Sequence, residues 1–499
     1  MAQRHYFEDL EQSPDVGRLA LRGGLAAVAS TYGSGVLQIA AAIILARLLT
    51  PEDFGLVAIA TLLTGFAPFL IDFGLGDATA QKKKITPRQV SSLFWISTGI
   101  GFALAAVVAL CSPLIAWMFG EPRLESIALY SATTFVLWGI SGQHLALLRR
   151  SMQFAVVAKI QILSTLTGLA VAIPLAMFGS GYWALVLRPI VSVFCVVVGA
   201  WIACGWRPGL PVLDNDVRGM LRFGMHVVGY AIVAAVARAV DRVALGYFYG
   251  PQQVGVYHNA LILYENSIFS ALTQIHSVGS AALGKFQSNP VDLRQKYESA
   301  LSTLAFFVMP AAAILSVTAQ DVVVLLLGEK WRVSGVLLSI IALRGIFHVI
   351  QVSQGWLHLS TGRPDRWKNW GIVTAIVQMV AVLAGLPFGP TGVAVAFVAA
   401  GWLIAFPSIS YAGRPIGISA SSVIRSVGRQ LLGALIAAAS GWLLQVFVLT
   451  NNSELQRIVV LTAFCSTFYL LIVVGVLRLT DPIRVAGRLV QDNAPWRFR

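Results

Sequence analysis

Apolar runs of about 20 residues recur from one end of this chain to the other, and one water-facing globule cannot hide so many of them. Residues 25–49, 54–73, 89–119 and 457–477 each meet or approach that length. A helix needs roughly 20 apolar residues to cross about 30 Å of hydrocarbon. The hydrophobic share is 57% and the charged share only 12%, where ordinary soluble domains carry about 25% charged residues. Such a chain needs lipid as its solvent. The expected fold class is an all-α polytopic membrane protein.

The net charge of +14 invites a nucleic-acid reading. Its distribution argues otherwise, because no segment between the apolar runs exceeds about 22 residues and none can form a basic face for DNA. Residues 1–23 mix Glu8, Asp9, Glu11 and Asp15 with Arg4, Arg18 and Arg22. They lack the basic start and short apolar core of a cleavable signal and are expected to remain as a tail. Cys111, Cys195, Cys204 and Cys465 lie scattered in apolar runs without ligand spacing, so no metal site and no cofactor is expected.

Fourteen spans are expected, near residues 24–49, 54–79, 88–119, 124–148, 155–178, 182–205, 220–248, 254–283, 295–327, 333–360, 367–387, 391–412, 421–448 and 456–478. Thr50-Pro51-Glu52-Asp53 reads as a helix N-cap followed by Pro at the first helical position. Positive residues in short loops mark the cytoplasmic side. With the N-terminus inside, the inner loops receive Lys82, Lys83, Lys84 and Arg88, then Arg149 and Arg150, and so on to Arg425 and Arg429 and the tail 479–499. The outer loops hold only Arg47, Arg123, Lys330, Arg332 and Arg457. The alternation survives every crossing, placing both termini of a multi-pass membrane protein in the cytoplasm.

The two halves repeat. Pro51 and Gly55 line up with Pro251 and Gly255, and Pro87 with Pro290. Phe119-Gly120-Glu121 matches Leu327-Gly328-Glu329, and Phe178-Gly179 matches Phe388-Gly389. The offset drifts from about 200 to about 210 residues, as small loop insertions would cause. The unit is six helices, so both copies enter from the same side and form a parallel repeat. The expected organisation is a tail at 1–23, a first lobe at 24–205, a cytoplasmic loop at 206–219, a second lobe at 220–412, two additional helices within 413–478 and a tail at 479–499. A substrate site is expected between the lobes near mid-membrane.

Ionisable residues within spans are costly and mark interior cavities. Those far from any loop are Asp72, Arg188, Arg238, Asp241, Arg242, Glu265 and Arg344. Arg238, Asp241 and Arg242 fall on one face of span seven. Arg344, His348, Gln351, Gly355 and His358 form a polar stripe down span ten. One reading has Asp241 paired with Arg238 or Arg242, and Glu265 with Arg344, to fix helix register. The other has the set lining a wet polar cleft. Arginine forks suit a phosphate linkage, so Arg238, Arg242 and Arg344 are the leading candidates, with Arg188, His348 and Gln351 beside them. Asp72, Asp241 or Glu265 is the candidate for coupling to an inward Na⁺ or proton gradient.

The stretch Ile43-Ile44-Leu45-Ala46-Arg47-Leu48-Leu49-Thr50-Pro51-Glu52-Asp53-Phe54-Gly55-Leu56-Val57, followed by Asp72-Phe73-Gly74-Leu75-Gly76, resembles the opening helices of Wzx-type polysaccharide transport proteins of the multidrug/oligosaccharidyl-lipid/polysaccharide exporter superfamily. Asp241-Arg242-Val243-Ala244-Leu245-Gly246 is similar to that family's entry into its second lobe. The resemblance spans roughly residues 20–410 and is nearest to the exopolysaccharide branch that includes colanic acid, succinoglycan and xanthan exporters. It implies an inner-membrane flippase that moves undecaprenyl-pyrophosphate-linked oligosaccharides by alternating access for exopolysaccharide, capsule or O-antigen assembly. Its partners would be that lipid, the surrounding membrane lipids, and a polysaccharide polymerase with its chain-length and export machinery. Fourteen spans rather than twelve depart from many members.

A cation-coupled drug antiporter of the same superfamily would favour an acidic, aromatic cavity, against which the arginines argue. A membrane glycan polymerase or ligase needs catalytic carboxylates or a large outer loop. The outer loops carry only Glu52, Asp53, Glu121, Glu329 and Glu454 on short connections, and no nucleophile or paired-carboxylate constellation stands out.

Overall fold

In the hydrocarbon of a bilayer, backbone amides must be satisfied within a helix or a closed barrel, and helices are what these apolar runs form. The computed structural model describes residues 6–7, 35, 37–64, 75–82, 84–212, 215–269, 283, 286, 289–482 and 484, with the side chains of 215–238 outside that description. The helices are α1 (Leu37–Leu48), α2 (Pro51–Thr64), α3 (Leu75–Gln81), α4 (Pro87–Phe119), α5 (Arg123–Arg150), α6 (Phe154–Met177), α7 (Trp183–Cys204) and α8 (Asn215–Tyr264). After them come α9 (Pro290–Leu327), α10 (Arg332–Ser360), α11 (Pro364–Gly385), α12 (Gly389–Gly413), α13 (Ala420–Phe447) and α14 (Glu454–Leu470). No strand occurs among the described residues.

Expected spans three to six and nine to fourteen each fall on one of these helices. Spans seven and eight run together in α8, which breaks at Gly250, where φ is 79°. Spans one, two and eight lie partly outside the described residues. Eight segments are long and apolar enough to cross a bilayer, and they carry large apolar side chains on their outer faces, Leu110 and Trp117 among them. Outward-facing leucine and tryptophan belong to a protein solvated by lipid, so this is a multi-pass membrane protein.

Helix starts are set locally. Thr50 Oγ accepts from the Asp53 amide at 3.3 Å while the Asp53 carboxylate accepts from the Thr50 amide at 2.9 Å, a reciprocal cap ahead of Pro51. Thr86 and Gln89 cap α4 in the same way, and Asn289 caps α9.

The chain divides into two compact units, Met1–Gly255 and Val256–Arg499. In the first, α4 packs along α5, α6 along α7, and α5 along α7. In the second, α9 packs along α10, α11 along α12, and α10 along α12, while α13 and α14 pack on α9. The internal repeat is therefore a repeat of packing as well as of letters, and it extends to backbone conformation. Left-handed φ recurs at Gly120 and Gly328, Met152 and Gly362, Gly179 and Gly389, and Gly205 and Gly417. The loop chemistry repeats too: Arg123 Nε meets Glu121 at 2.7 Å, and Arg332 Nε meets Glu329 at 2.5 Å.

Within the first unit, repeat-related residues also touch one another. A Cβ on Gly55 would lie 1.7 Å from the Pro251 carbonyl oxygen, and one on Gly255 would lie 1.8 Å from the Pro51 carbonyl oxygen. The two helix starts cross with backbone against backbone, each glycine under the other strand's proline.

Candidate functional site

Among the described residues, the span-length segment that holds α10 is the most buried. In that segment, 67% of the most apolar window is buried, against 44% or less in the others. The polar stripe read from the sequence thus lies on the helix least available to lipid. Arg344 stacks its guanidinium over Phe397 of α12, with Cζ 4.0 Å from the ring centroid. Stacking of this kind fixes the plane of the guanidinium. One turn on, His348 is buried, and its Nδ1 shares a 2.7 Å hydrogen bond with the Tyr264 hydroxyl at the end of α8. Gln351 donates from Nε2 to the Gly401 carbonyl at 2.9 Å. Gly401 faces the same two side chains: a Cβ there would meet Arg344 Cγ at 3.7 Å and Gln351 Nε2 at 3.8 Å, ordinary packing distances. The sequence therefore puts Arg344, His348 and Gln351 on one face of α10, and α12 and the end of α8 fix them there.

The same interior of the second unit carries hydrogen-bonding capacity that other described residues do not use. Asn259 Oδ1, Gln354 Oε1 and Trp402 Nε1 are buried without a partner among them. Leaving such groups unsatisfied costs about 1–3 kcal/mol each, so a purely structural polar stripe is an expensive way to set helix register.

In the first unit Asp241 is buried and Arg242 Nε lies 3.7 Å from its carboxylate, with the Arg242 amide bonded to the same oxygen at 2.8 Å. This is one of the two pairings expected for Asp241; the other, with Arg238, lies outside the described residues. Arg188 is half-buried on α7. Glu265 opens a π-helical turn, Glu265–Phe269, and is exposed; such turns are frequent at functional sites. Asp72 lies outside the described residues, as does the side chain of Arg238. Among the described residues no group of His, Cys, Asp and Glu is placed to hold a metal.

Sequence reasoning missed Tyr264, Phe397 and Gly401, which position the stripe. None of the three is charged, and only an alignment of helix faces across elements would have paired them with it. Asp321 lies near the end of α9, a position from which a charged side chain ordinarily snorkels to water. Instead it is buried against Arg457 of α14 at 2.7 Å and accepts from Gln445 of α13 at 3.0 Å. Tyr469 of α14 donates to the Phe306 carbonyl at 3.0 Å. The last two helices are thus bonded through polar groups to α9.

This is the helix set of a polytopic membrane protein, and solved structures share its fold. The structure superposes on lipid II flippase MurJ in its inward closed conformation with a TM-score of 0.70 at 15% identity, covering 91% of this chain and 99% of that one. An inward-facing multidrug resistance MATE transporter of the MOP superfamily gives a TM-score of 0.53 at 16% identity, over 78% of this chain and 95% of that one. Residues 44–335 match the family described as polysaccharide biosynthesis protein, and the chain belongs to that family. Among curated relatives, lipopolysaccharide biosynthesis protein WzxC of Escherichia coli is 24% identical over 73% of this chain and 74% of its own length. Succinoglycan biosynthesis transport protein ExoT of Rhizobium meliloti is 23% identical over 72% of each.

Proposed function

We propose that this protein is a flippase for lipid-linked oligosaccharides, moving undecaprenyl-pyrophosphate-linked repeat units across the bacterial inner membrane by alternating access. The observation that carries the reading is the polar stripe of half-buried Arg344, buried His348 and half-buried Gln351 on α10, the most buried span-length segment among the described residues, in a unit where Asn259, Gln354 and Trp402 keep hydrogen-bonding capacity that other described residues do not use. A sugar head with its hydroxyls and charged linkage cannot enter hydrocarbon unaided, since each bare hydroxyl costs several kcal/mol. Arg344 would take the pyrophosphate, its guanidinium plane fixed by the ring of Phe397. His348, Gln351 and the unused amides would take hydroxyls. The matched family, the relatives' names and the MurJ fold support the same substrate class.

Arg188, Arg238 and Arg242 of the first unit are proposed as further anion contacts, and Asp72, Asp241 and Glu265 as coupling groups for Na⁺ or a proton. Arg242 is the weaker anion contact of the three, because Asp241 already offsets its charge. The lobes proposed are residues 24–205 and 220–412, followed by two helices within 413–478, with both termini cytoplasmic. A polysaccharide polymerase with its export machinery would consume the flipped lipid.

The test is a deletion strain assayed for repeat units stranded on the cytoplasmic leaflet. The reading expects accumulation there and loss of surface polymer. Normal polymer with altered resistance to cationic drugs would assign the chain to drug export instead.

A further inference from the structure

A second site of different chemistry lies in the first unit, at the loop end of α4 and α7. A cavity of about 910 Å³ opens there between Arg88 at the start of α4 and Arg207 just after α7, walled by Phe7, Trp206, Leu210 and Val212. The strap after α7 that forms one wall is held in place rather than draped. Ser91 Oγ accepts from the Gly209 amide at 2.9 Å, and Trp95 Nε1 donates to the Gly209 carbonyl at 2.9 Å. Ser92 Oγ accepts from the Val212 amide at 2.6 Å. Behind the strap, Arg207 lies 5.7 Å from the Trp201 ring centroid, and that ring stacks on His144 at 4.5 Å. The opposite wall is the start of the chain: the Tyr6 carbonyl accepts from buried Arg150 at 3.0 Å, which sets Phe7 at the cavity.

Among the described residues, the ionisable side chains lining this cavity are the two arginines. Both are exposed, and no described carboxylate is paired with either. Around them large apolar side chains stand out: Leu210 is 86% exposed, Ile202 77% and Trp95 48%. Two unpaired arginines beside outward-facing aliphatic and indole groups match a molecule with an anionic head and hydrocarbon tails, seated at the membrane–water boundary where tryptophan is enriched.

We infer that this cavity binds the phosphate headgroup of an anionic phospholipid of the leaflet it faces. The positive-inside reading makes that the cytoplasmic leaflet. Arg88 and Arg207 grip the phosphate from two sides, and the acyl chains run along Leu210 and Ile202. The site is separate from the α10 stripe, and it stands or falls independently of which substrate that stripe carries.

The experiment is native mass spectrometry of the purified full-length protein, released from nanodiscs holding phosphatidylglycerol and phosphatidylcholine in equal amounts. Wild type is expected to keep phosphatidylglycerol selectively. The double variant Arg88→Gln/Arg207→Gln is expected to lose that retention by about tenfold or more, since each basic side chain near a membrane surface contributes about 1 kcal/mol. The control Arg425→Gln/Arg429→Gln removes the same charge from an exposed stretch of α13 and is expected to retain the lipid. Equal retention of both lipids by wild type, undiminished retention in the double variant, or equal loss in the control would each overturn the site. All four substituted side chains are exposed, and the monodisperse elution expected of each variant separates lost lipid from lost fold.

Discussion

At the scale of single residues, the tightest constraint is the pair Gly55 and Gly255. Each stands where a Cβ would overlap a carbonyl oxygen at less than 2 Å, and backbone cannot swing aside as a side-chain end can. Gly55→Ala or Gly255→Ala should cost at least the 1–3 kcal/mol typical of overpacking, read as a lowered thermal midpoint and poor membrane yield. Gly99→Ala, in α4 with nothing within 4 Å, should leave both unchanged. Equal behaviour of Gly55→Ala and Gly99→Ala would contradict the crossing. The sequence repeat aligns Gly55 with Gly255, yet equivalence within a repeat says nothing of proximity, so their contact was not legible. Arg150 teaches the same lesson. By the positive-inside rule it is one more loop charge, whereas in the structure it is buried and donates to the carbonyls of Tyr6, Thr79 and Lys82. Arg150→Lys keeps the charge but loses the fork, and it should lower the thermal midpoint measurably, as the loss of a charged hydrogen bond worth about 1.5–3 kcal/mol requires. Its exposed neighbour, changed as Arg149→Lys, should not.

At the scale of elements, helix number and extent were largely legible, because apolar length and Gly or Pro punctuation are local properties. The stripe on α10 was legible for the same reason: a period near 3.6 needs no knowledge of neighbours. What held the stripe was not, since Tyr264, Phe397 and Gly401 come from other elements. The last two helices show how burial changes a local reading. Asp321 sits near a helix end, where snorkelling is ordinary, but α13 and α14 cover it. Asp321→Asn should therefore strand Arg457 and destabilise the protein by about 3–5 kcal/mol, and Asp321→Asn/Arg457→Gln should recover part of that. A thermal-shift series on the two variants checks it. If the double variant were no better than the single, the ion pair would not be what binds α14 to α9.

At the scale of the whole molecule, the account rests on two like-built units with an even number of crossings. Positive φ at Gly120 and Gly328, and at Gly179 and Gly389, falls at corresponding loops of the two units, although ψ differs between Gly120 and Gly328. Reporter fusions after residues 23 and 478 should both report the cytoplasm, and an external C-terminal reporter would break the even count.

The most direct test of the central claim, that a half-buried arginine on α10 handles the anionic linkage of a lipid-linked sugar, is flipping measured in proteoliposomes. Purified protein, wild type or Arg344→Ala at matched incorporation, would be reconstituted with a labelled undecaprenyl-pyrophosphate oligosaccharide, and the rate of its appearance in the opposite leaflet followed. Loss of one charged hydrogen-bonding group predicts a rate lower by about ten- to a hundredfold, with Arg344→Lys intermediate because it keeps the charge but not the stacked fork. Wild-type flipping by a correctly folded Arg344→Ala protein would contradict the account.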